Sequence, residues 1–438
     1  MLCAIFQRVR MMVKEQKCCS FCGIAASASV PMIAGTEGFI CEACVLLASQ
    51  VVSSWGKKKQ LDDMQSPLAK PAEIKAKLDQ YVIGQDLAKE ILAVAVYNHY
   101  KRLKHETTKT EGLGEAAQTV EIGKSNILLI GPSGTGKTLL ASTLAKIVGV
   151  PFAVADATTL TQAGYVGDDV ENILVRLLDV ADGQVSKAEW GIVYIDEVDK
   201  IARSSEQSFG TRDVSGEGVQ QALLRLVEGS HVKVPAKGRR KDQNNHDSLV
   251  IDTSNILFIA GGAFPSLEKH VEKRLVPPKS GIGFHVEHNQ SNAKPSLESL
   301  LNATQPDDLK RFGLIPEFIG RFPVLAPLEP LDVDALIKVL TEPKNALVKQ
   351  YQQLFAFDDV ELEFTQDALV EIAEKAIERN TGARGLRSIM ENVLRRIMFD
   401  VPSNPNISSC IVNAEVIRGA AEIQIIEQPE LQRIGLAE

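Results

Sequence analysis

The stretch GPSGTGKT (131–138) decides the fold. It fits the pattern G-x-x-x-x-G-K-[ST], and it follows the apolar run NILLI (126–130) and precedes a helix-like segment. A glycine-rich turn in that position lets successive backbone N–H groups wrap a phosphate chain. Gly131, Pro132, Ser133, Gly134, Thr135 and Gly136 would form the cradle, with Leu139 continuing into the helix. Lys137 would reach the β- and γ-phosphates, and the Thr138 hydroxyl would hold Mg²⁺. Chance matches to the pattern exist, but the strand–turn–helix context argues for an ATP site.

The second half of such a site lies 59 residues downstream, counted from Lys137 to Asp196, in IVYIDEVDK (192–200). An apolar strand that ends in two acids delivers both carboxylates to the sheet edge where a P-loop sits. Asp196 is expected to coordinate Mg²⁺ through water, and Glu197 to polarise the attacking water, which gives hydrolysis as well as binding. The plainer reading is a pair of acids solvating a strand end.

Further out, PFAVAD (151–156), GIVYID (191–196) and NILFIAG (255–261) are short runs rich in β-branched residues, separated by helix-like stretches at 168–181 and 217–228. Buried strands alternating with helices predict an α/β fold, a parallel sheet with helices on both faces. After about 325 the pattern turns mostly helical, at 332–354, 366–379 and 384–399, with one short strand VELEF (360–364). Segments 106–122 and 230–250 read as loops or insertions. The expected organisation is a zinc-binding domain over 1–52, a linker over 53–66, a large ATPase domain over 67–325, a small mainly helical domain over 326–425 and a tail over 426–438.

The zinc expectation rests on the cysteines. Five of the seven crowd near the N-terminus, spaced Cys19-x2-Cys22, 18 residues, Cys41-x2-Cys44, with Cys18 beside the first pair. Two matched pairs at that separation suit a closed Zn²⁺ tetrahedron of four thiolates, with no open position for catalysis. So small a section has little core, and the metal would supply its folding energy. Such a module could bind nucleic acid, peptide or another copy of itself; residues 23–40 contain no Lys or Arg, which disfavours nucleic acid. The net charge of −8 across 438 residues points the same way. No apolar run reaches the roughly 18 residues of a membrane span, and MLCAIFQRVRMM lacks a signal-peptide core, so a cytoplasmic protein is expected.

Other stretches pose questions that composition does not answer. AGYVGDD (163–169) places Tyr165 and Val166 between glycines, either as a core anchor or as a loop held out for contact. GLIPEFIGRFP (313–323) carries Arg321, and GARGLRS (382–388) carries Arg384 at a helix start; either could be an ordinary surface arginine.

Taken together, GPSGTGKT, AGYVGDDVENIL, GIVYIDEVDK, TRDVSGEGVQQALL, FGLIPEFIGRFPV and TGARGLRS make the sequence resemble the ClpX family, the AAA+ unfoldase subunits of the Clp protease, from Cys19 to near residue 425. The resemblance implies a homohexameric ring with ATP between subunits, Arg321 as an arginine finger reaching a neighbour's γ-phosphate, and Arg384 as the small-domain sensor. It implies that Val82 and Ile83, in YVIGQ, line the adenine pocket. GYVG would be a first pore loop whose Tyr165 and Val166 grip an unfolded polypeptide. Arg212, Asp213 and Val214, in TRDVSG, would form a second. Ile282-Gly283-Phe284 would dock on the ClpP peptidase. At the entrance loop the family typically has Arg-Lys-His, where this chain reads Arg240-Lys241-Asp242, leaving tag preference open. NILFIAGGAF offers glycines where many AAA+ proteins carry a polar first sensor, so no residue is assigned there. The function so implied is ATP-driven unfolding of tagged or adaptor-delivered proteins, with proteolysis left to the partner. The alternatives are a stand-alone remodelling chaperone and a nucleic-acid remodelling ATPase, which would want basic pore loops.

Overall fold

The computed structural model describes residues 18–27, 30–36, 38–48, 68–110, 120, 122–161, 168–203, 216–235, 248–275 and 295–427. Two compact units divide the chain, Met1–Leu68 and Ala69–Glu438.

In the first unit, β1 (Met32–Ala34) pairs antiparallel with β2 (Phe39–Cys41), Met32 opposite Cys41, and residues 42–48 form helix α1. A knuckle precedes them. The Gly23 N–H donates to Cys19 O at 2.9 Å, and φ of +75° at Gly23 gives the turn a conformation that suits glycine.

The second unit opens with α2 (Pro71–Asp79), started by proline in its first turn, and α3 (Asp86–Thr110). Then follow β3 (Ile127–Ile130), α4 (Lys137–Val148), β4 (Phe152–Asp156), the two-residue strands β5 (Leu160–Thr161) and β6 (Asp168–Asp169), α5 (Asn172–Val180), α6 (Val185–Ala188) and β7 (Ile192–Asp196). After α7 (Glu217–Glu228) come the hairpin strands β8 (His231–Pro235) and β9 (Ser248–Asp252), β10 (Leu257–Gly262), α8 (Leu267–Leu275), α9 (Leu297–Asn302), α10 (Pro306–Phe312), α11 (Pro316–Gly320) and β11 (Val324–Pro327).

The five core strands run in the order β11-β3-β10-β7-β4, all parallel. Their continuous apolar runs are what a sheet covered on both faces requires. Leu128, Ile130, Val193, Ile195, Phe258 and Ala260 face a core shared with α5 and α7, while α3 and α4 cover the opposite face. Parallel strands bring all their C-terminal ends to one edge, and there the P-loop, Asp196 and the turn after Gly262 meet.

The last part comprises α12 (Val333–Thr341), α13 (Leu347–Ala356), β12 (Glu361–Phe364), α14 (Gln366–Glu378), α15 (Ala383–Asp400), β13 (Ile407–Val412), α16 (Ala414–Arg418) and β14 (Gln424–Glu427), with its own core around Leu336, Ile372, Leu386 and Leu394.

Several boundaries correct the sequence expectation. The helix expected over 332–354 is two helices, broken after Thr341 by Pro343. The mainly helical part carries a three-stranded sheet, β12-β13-β14, where one strand was expected. Within 230–250, the stretch read as loop contains β8 and most of β9, and α3 continues to Thr110 through residues expected to be loop. Among the described residues no helix is long and apolar enough to cross a membrane.

Candidate functional site

The P-loop turn is built as its glycines require. Gly134 and Gly136 sit at φ of +80° and +93°, and Gly136 caps the start of α4. Gly131 has no room for a side chain, since a Cβ there would stand 2.7 Å from Leu328 O. The Thr135 hydroxyl donates to Pro132 O at 2.9 Å, which closes the loop on itself; Ser133 and Leu139 are exposed.

Lys137 is buried, and its Nζ donates to Gly131 O at 2.6 Å and Pro132 O at 2.8 Å. Burial pushes its amine down to about 8, against a partial pull upward from Asp196 and Asp199. A buried cation whose hydrogen bonds end on neutral carbonyls is a site waiting for anionic oxygens.

Asp196 gathers the rest. Its Oδ2 accepts the Thr138 hydroxyl at 3.0 Å, and its Oδ1 accepts the Glu197 backbone N–H at 3.0 Å and the Tyr194 hydroxyl at 3.1 Å. Glu197 follows in the left-handed region, φ +57° and ψ +34°, which turns the chain sharply out of β7. Thr138 and Asp196 are a hydroxyl and a carboxylate, the hard oxygen ligands that suit Mg²⁺. Arg384, in the first turn of α15, places Nη2 4.0 Å from Asp196 Oδ2. It is carried there by a backbone contact: Ala383 N–H donates to Gly134 O at 3.3 Å.

Val82 is buried and Ile83 half-buried, in the turn between α2 and α3. Sequence reasoning missed the residue that locks this turn. The Gln85 side chain donates to Glu329 O and accepts Glu329 N–H, both at 2.8 Å, tying the turn to the segment between β11 and α12. The signal was the Gln that ends YVIGQ. Tyr194 was also missed, because a tyrosine inside a strand reads as packing.

Arg321 does not join this group. Its Nε and Nη2 donate to Glu228 Oε1, at 3.0 and 2.8 Å, at the end of α7, and the side chain is half-exposed. Tyr165, Val166, Arg212, Asp213, Val214, Ile282, Gly283, Phe284 and the basic loop at 239–242 lie outside the described residues.

In the first unit the sulfurs of Cys19, Cys22, Cys41 and Cys44 all lie within 4.8 Å of one another, and Cys22 and Cys41 are 3.5 Å apart. A tetrahedron with Zn–S bonds of about 2.3 Å has edges of about 3.8 Å, so the cluster fits the ion. The Cys22 backbone N–H, foremost, draws the Cys19 thiol down to about 6, and the Cys41 N–H reaches Cys19 Sγ at 3.3 Å. The crowded thiols, Cys22 first, push Cys44 up to about 12. Four sulfurs this close cannot all ionise without a cation among them. Cys18 is exposed and outside the cluster.

Three segments of the chain match family models. Residues 17–54 match the model of the ClpX C4-type zinc finger, 123–325 an AAA domain of the Cdc48 subfamily, and 331–413 the C-terminal D2-small domain of ClpB protein. The chain is 63% identical over 413 residues to the "ATP-dependent Clp protease ATP-binding subunit ClpX 3" of Methylococcus capsulatus, covering 94% of this chain and 95% of that protein. It is 56% identical over 399 residues to the corresponding ClpX subunit of Azotobacter vinelandii, covering 91% and 89%.

Proposed function

Because the chain belongs to the ClpX family of Clp protease ATP-binding subunits, we propose that it is an ATPase whose ring pulls proteins apart and threads them into the ClpP peptidase. The observation that carries the reading is the convergence on Asp196 of the P-loop Thr138, the Glu197 backbone and Arg384 from the small domain.

In this reading Lys137 neutralises the β- and γ-phosphates, and its regained charge strengthens binding. Thr138 and Asp196 hold the Mg²⁺, which when bound screens the phosphate charge. Glu197 orients and polarises the attacking water. Val82 and Ile83 wall the adenine. Arg384 reports the γ-phosphate to the small domain, and Arg321, turned away from its own P-loop toward Glu228, serves a neighbour's site across a ring interface. Tyr165 and Val166, with Arg212, Asp213 and Val214, line the channel of a homohexamer, and Ile282-Gly283-Phe284 plugs into the peptidase. The Zn²⁺ held by Cys19, Cys22, Cys41 and Cys44 cross-links the N-terminal module, which meets substrates and adaptors. The organisation is 1–52 zinc module, 53–66 linker, 67–325 large domain, 326–425 small domain and 426–438 tail. The cytoplasm, where thiols stay reduced, suits a four-thiolate site.

The test is degradation of a tagged, stably folded protein with ATP, with and without purified ClpP. Degradation only with both ATP and ClpP is expected. Unfolding with ATP but no gain from ClpP would make the protein a stand-alone chaperone, and no ATP-dependent unfolding would sink the proposal.

A further inference from the structure

Tyr194 is buried in the nucleotide site without a role in the chemistry above. In β7 the side chains alternate: Val193 and Ile195 enter the core with α5 and α7, while Tyr194 and Asp196 share the opposite face, toward α4 and the P-loop. The Tyr194 ring is fully buried, and its hydroxyl donates to Asp196 Oδ1 at 3.1 Å.

A second observation comes from the neighbouring strand. Gly261 in β10 lies outside the left-handed region, so its backbone does not demand glycine. Space does: a Cβ at Gly261 would stand 2.2 Å from the Tyr194 oxygen and 2.9 Å from Cζ. The glycine and the tyrosine are complementary, one vacating the volume that the other's hydroxyl fills. The vacancy falls in the segment of β10 where the sequence offered no polar residue.

We propose that Tyr194 is a positioning residue of the ATPase: its hydroxyl, admitted by Gly261, holds one oxygen of Asp196 and so presents the other, with Thr138, to the nucleotide's divalent cation. Side chains that orient a cation ligand typically cost about 10-fold or more in metal affinity when removed. The inference rests on reading Asp196 and Thr138 as the cation-binding pair.

The test uses the full chain and a fluorescent ADP analogue, titrated with EDTA present and then with MgCl₂. Tyr194→Phe keeps the ring and removes the oxygen. Its affinity without Mg²⁺ should match the parent, while half-saturating Mg²⁺ for the tightening rises about 10-fold. Gly261→Ala, which displaces the hydroxyl without removing it, should shift the Mg²⁺ curve the same way and guards against a folding defect in the first variant. Asp196→Asn separates the two readings. If it retains the Mg²⁺ tightening, the cation-site reading fails and this inference with it. If it loses the tightening and the Tyr194→Phe curve overlays the parent, the inference alone is overturned, even if the variant melts earlier.

Discussion

Lys137 is a lysine at odds with its surroundings, and pH exposes this. In solvent its amine holds a proton up to about 10.5, but in the ligand-free fold only up to about 8, because burial penalises the charge. A polyphosphate restores the charged form. Above pH 8 binding must therefore take up a proton, and affinity should fall progressively as pH rises through that window. Below pH 8 the proton is already present and affinity should be flat. Nucleotide titrations of the parent and Lys137→Arg between pH 7 and about 9.5 check this, since arginine stays charged throughout. An identical slope in both would assign the effect elsewhere. Glu197 carries a different strain, the left-handed backbone at φ +57°. Glu197→Gln should bind ATP and cease turnover; Glu197→Asn should also cease turnover, yet gain up to about 1 kcal/mol, because asparagine tolerates that backbone better. Near-normal hydrolysis in Glu197→Gln would refute its assignment to the water.

At the level of elements, the junction between α15 and the P-loop is glycine against glycine. Gly382 caps α15 at φ +52° and ψ −145°, and a Cβ there would meet Ser133 O at 3.1 Å and Gly134 Cα at 3.2 Å. Gly382→Ala should cost about 1–3 kcal/mol by chemical denaturation and weaken ATP binding, because the helix that carries Arg384 is pushed off. Unchanged stability and affinity would show that the junction yields freely. The zinc module is separable by the same logic: Cys41→Ser should release the metal and unfold that unit, measured as zinc per chain, while ATP hydrolysis by the second unit continues. What the sequence made legible follows from these contrasts. The core strands could be read because a sheet covered on both faces demands unbroken apolar runs such as ILLI and IVYI. β13, ISSCIV, could not, because its serines interrupt the run and its parallel partner β12 lies far upstream in sequence. The P-loop, the two acids and the cysteine pairs announced themselves by spacing. Tyr194, Gly261 and Gln85 did not, since each acts through a neighbour that only the fold supplies.

For the whole molecule the deciding side chain is Arg321. Within its own chain its ion pair is with Glu228, whereas Arg384 is the arginine that approaches Asp196. In the proposed assembly one subunit would supply phosphate cradle, acids and sensor, while its second arginine pairs with Glu228. A ring whose contacts are head-to-tail gives that arginine a destination, the next subunit's γ-phosphate. Arg321→Ala rings should then bind ATP and hydrolyse it poorly, and Lys137→Ala rings should fail to bind. Neither defect repairs itself, but mixing the two places an intact P-loop beside an intact finger at about a quarter of the interfaces in an equal, random mixture. Hydrolysis should return on mixing, to a fraction of that order, and only under conditions where subunits exchange into common rings, verified by pull-down of one tagged variant with the other. The recovered activity should disappear when Arg321→Ala and Lys137→Ala are carried on the same chain and mixed with either single variant, because no interface then regains both groups. Mixed rings that form yet hydrolyse no faster than their parents would place Arg321 in service of its own subunit. Its pairing with Glu228 would then be the surface ion pair that its exposure suggests.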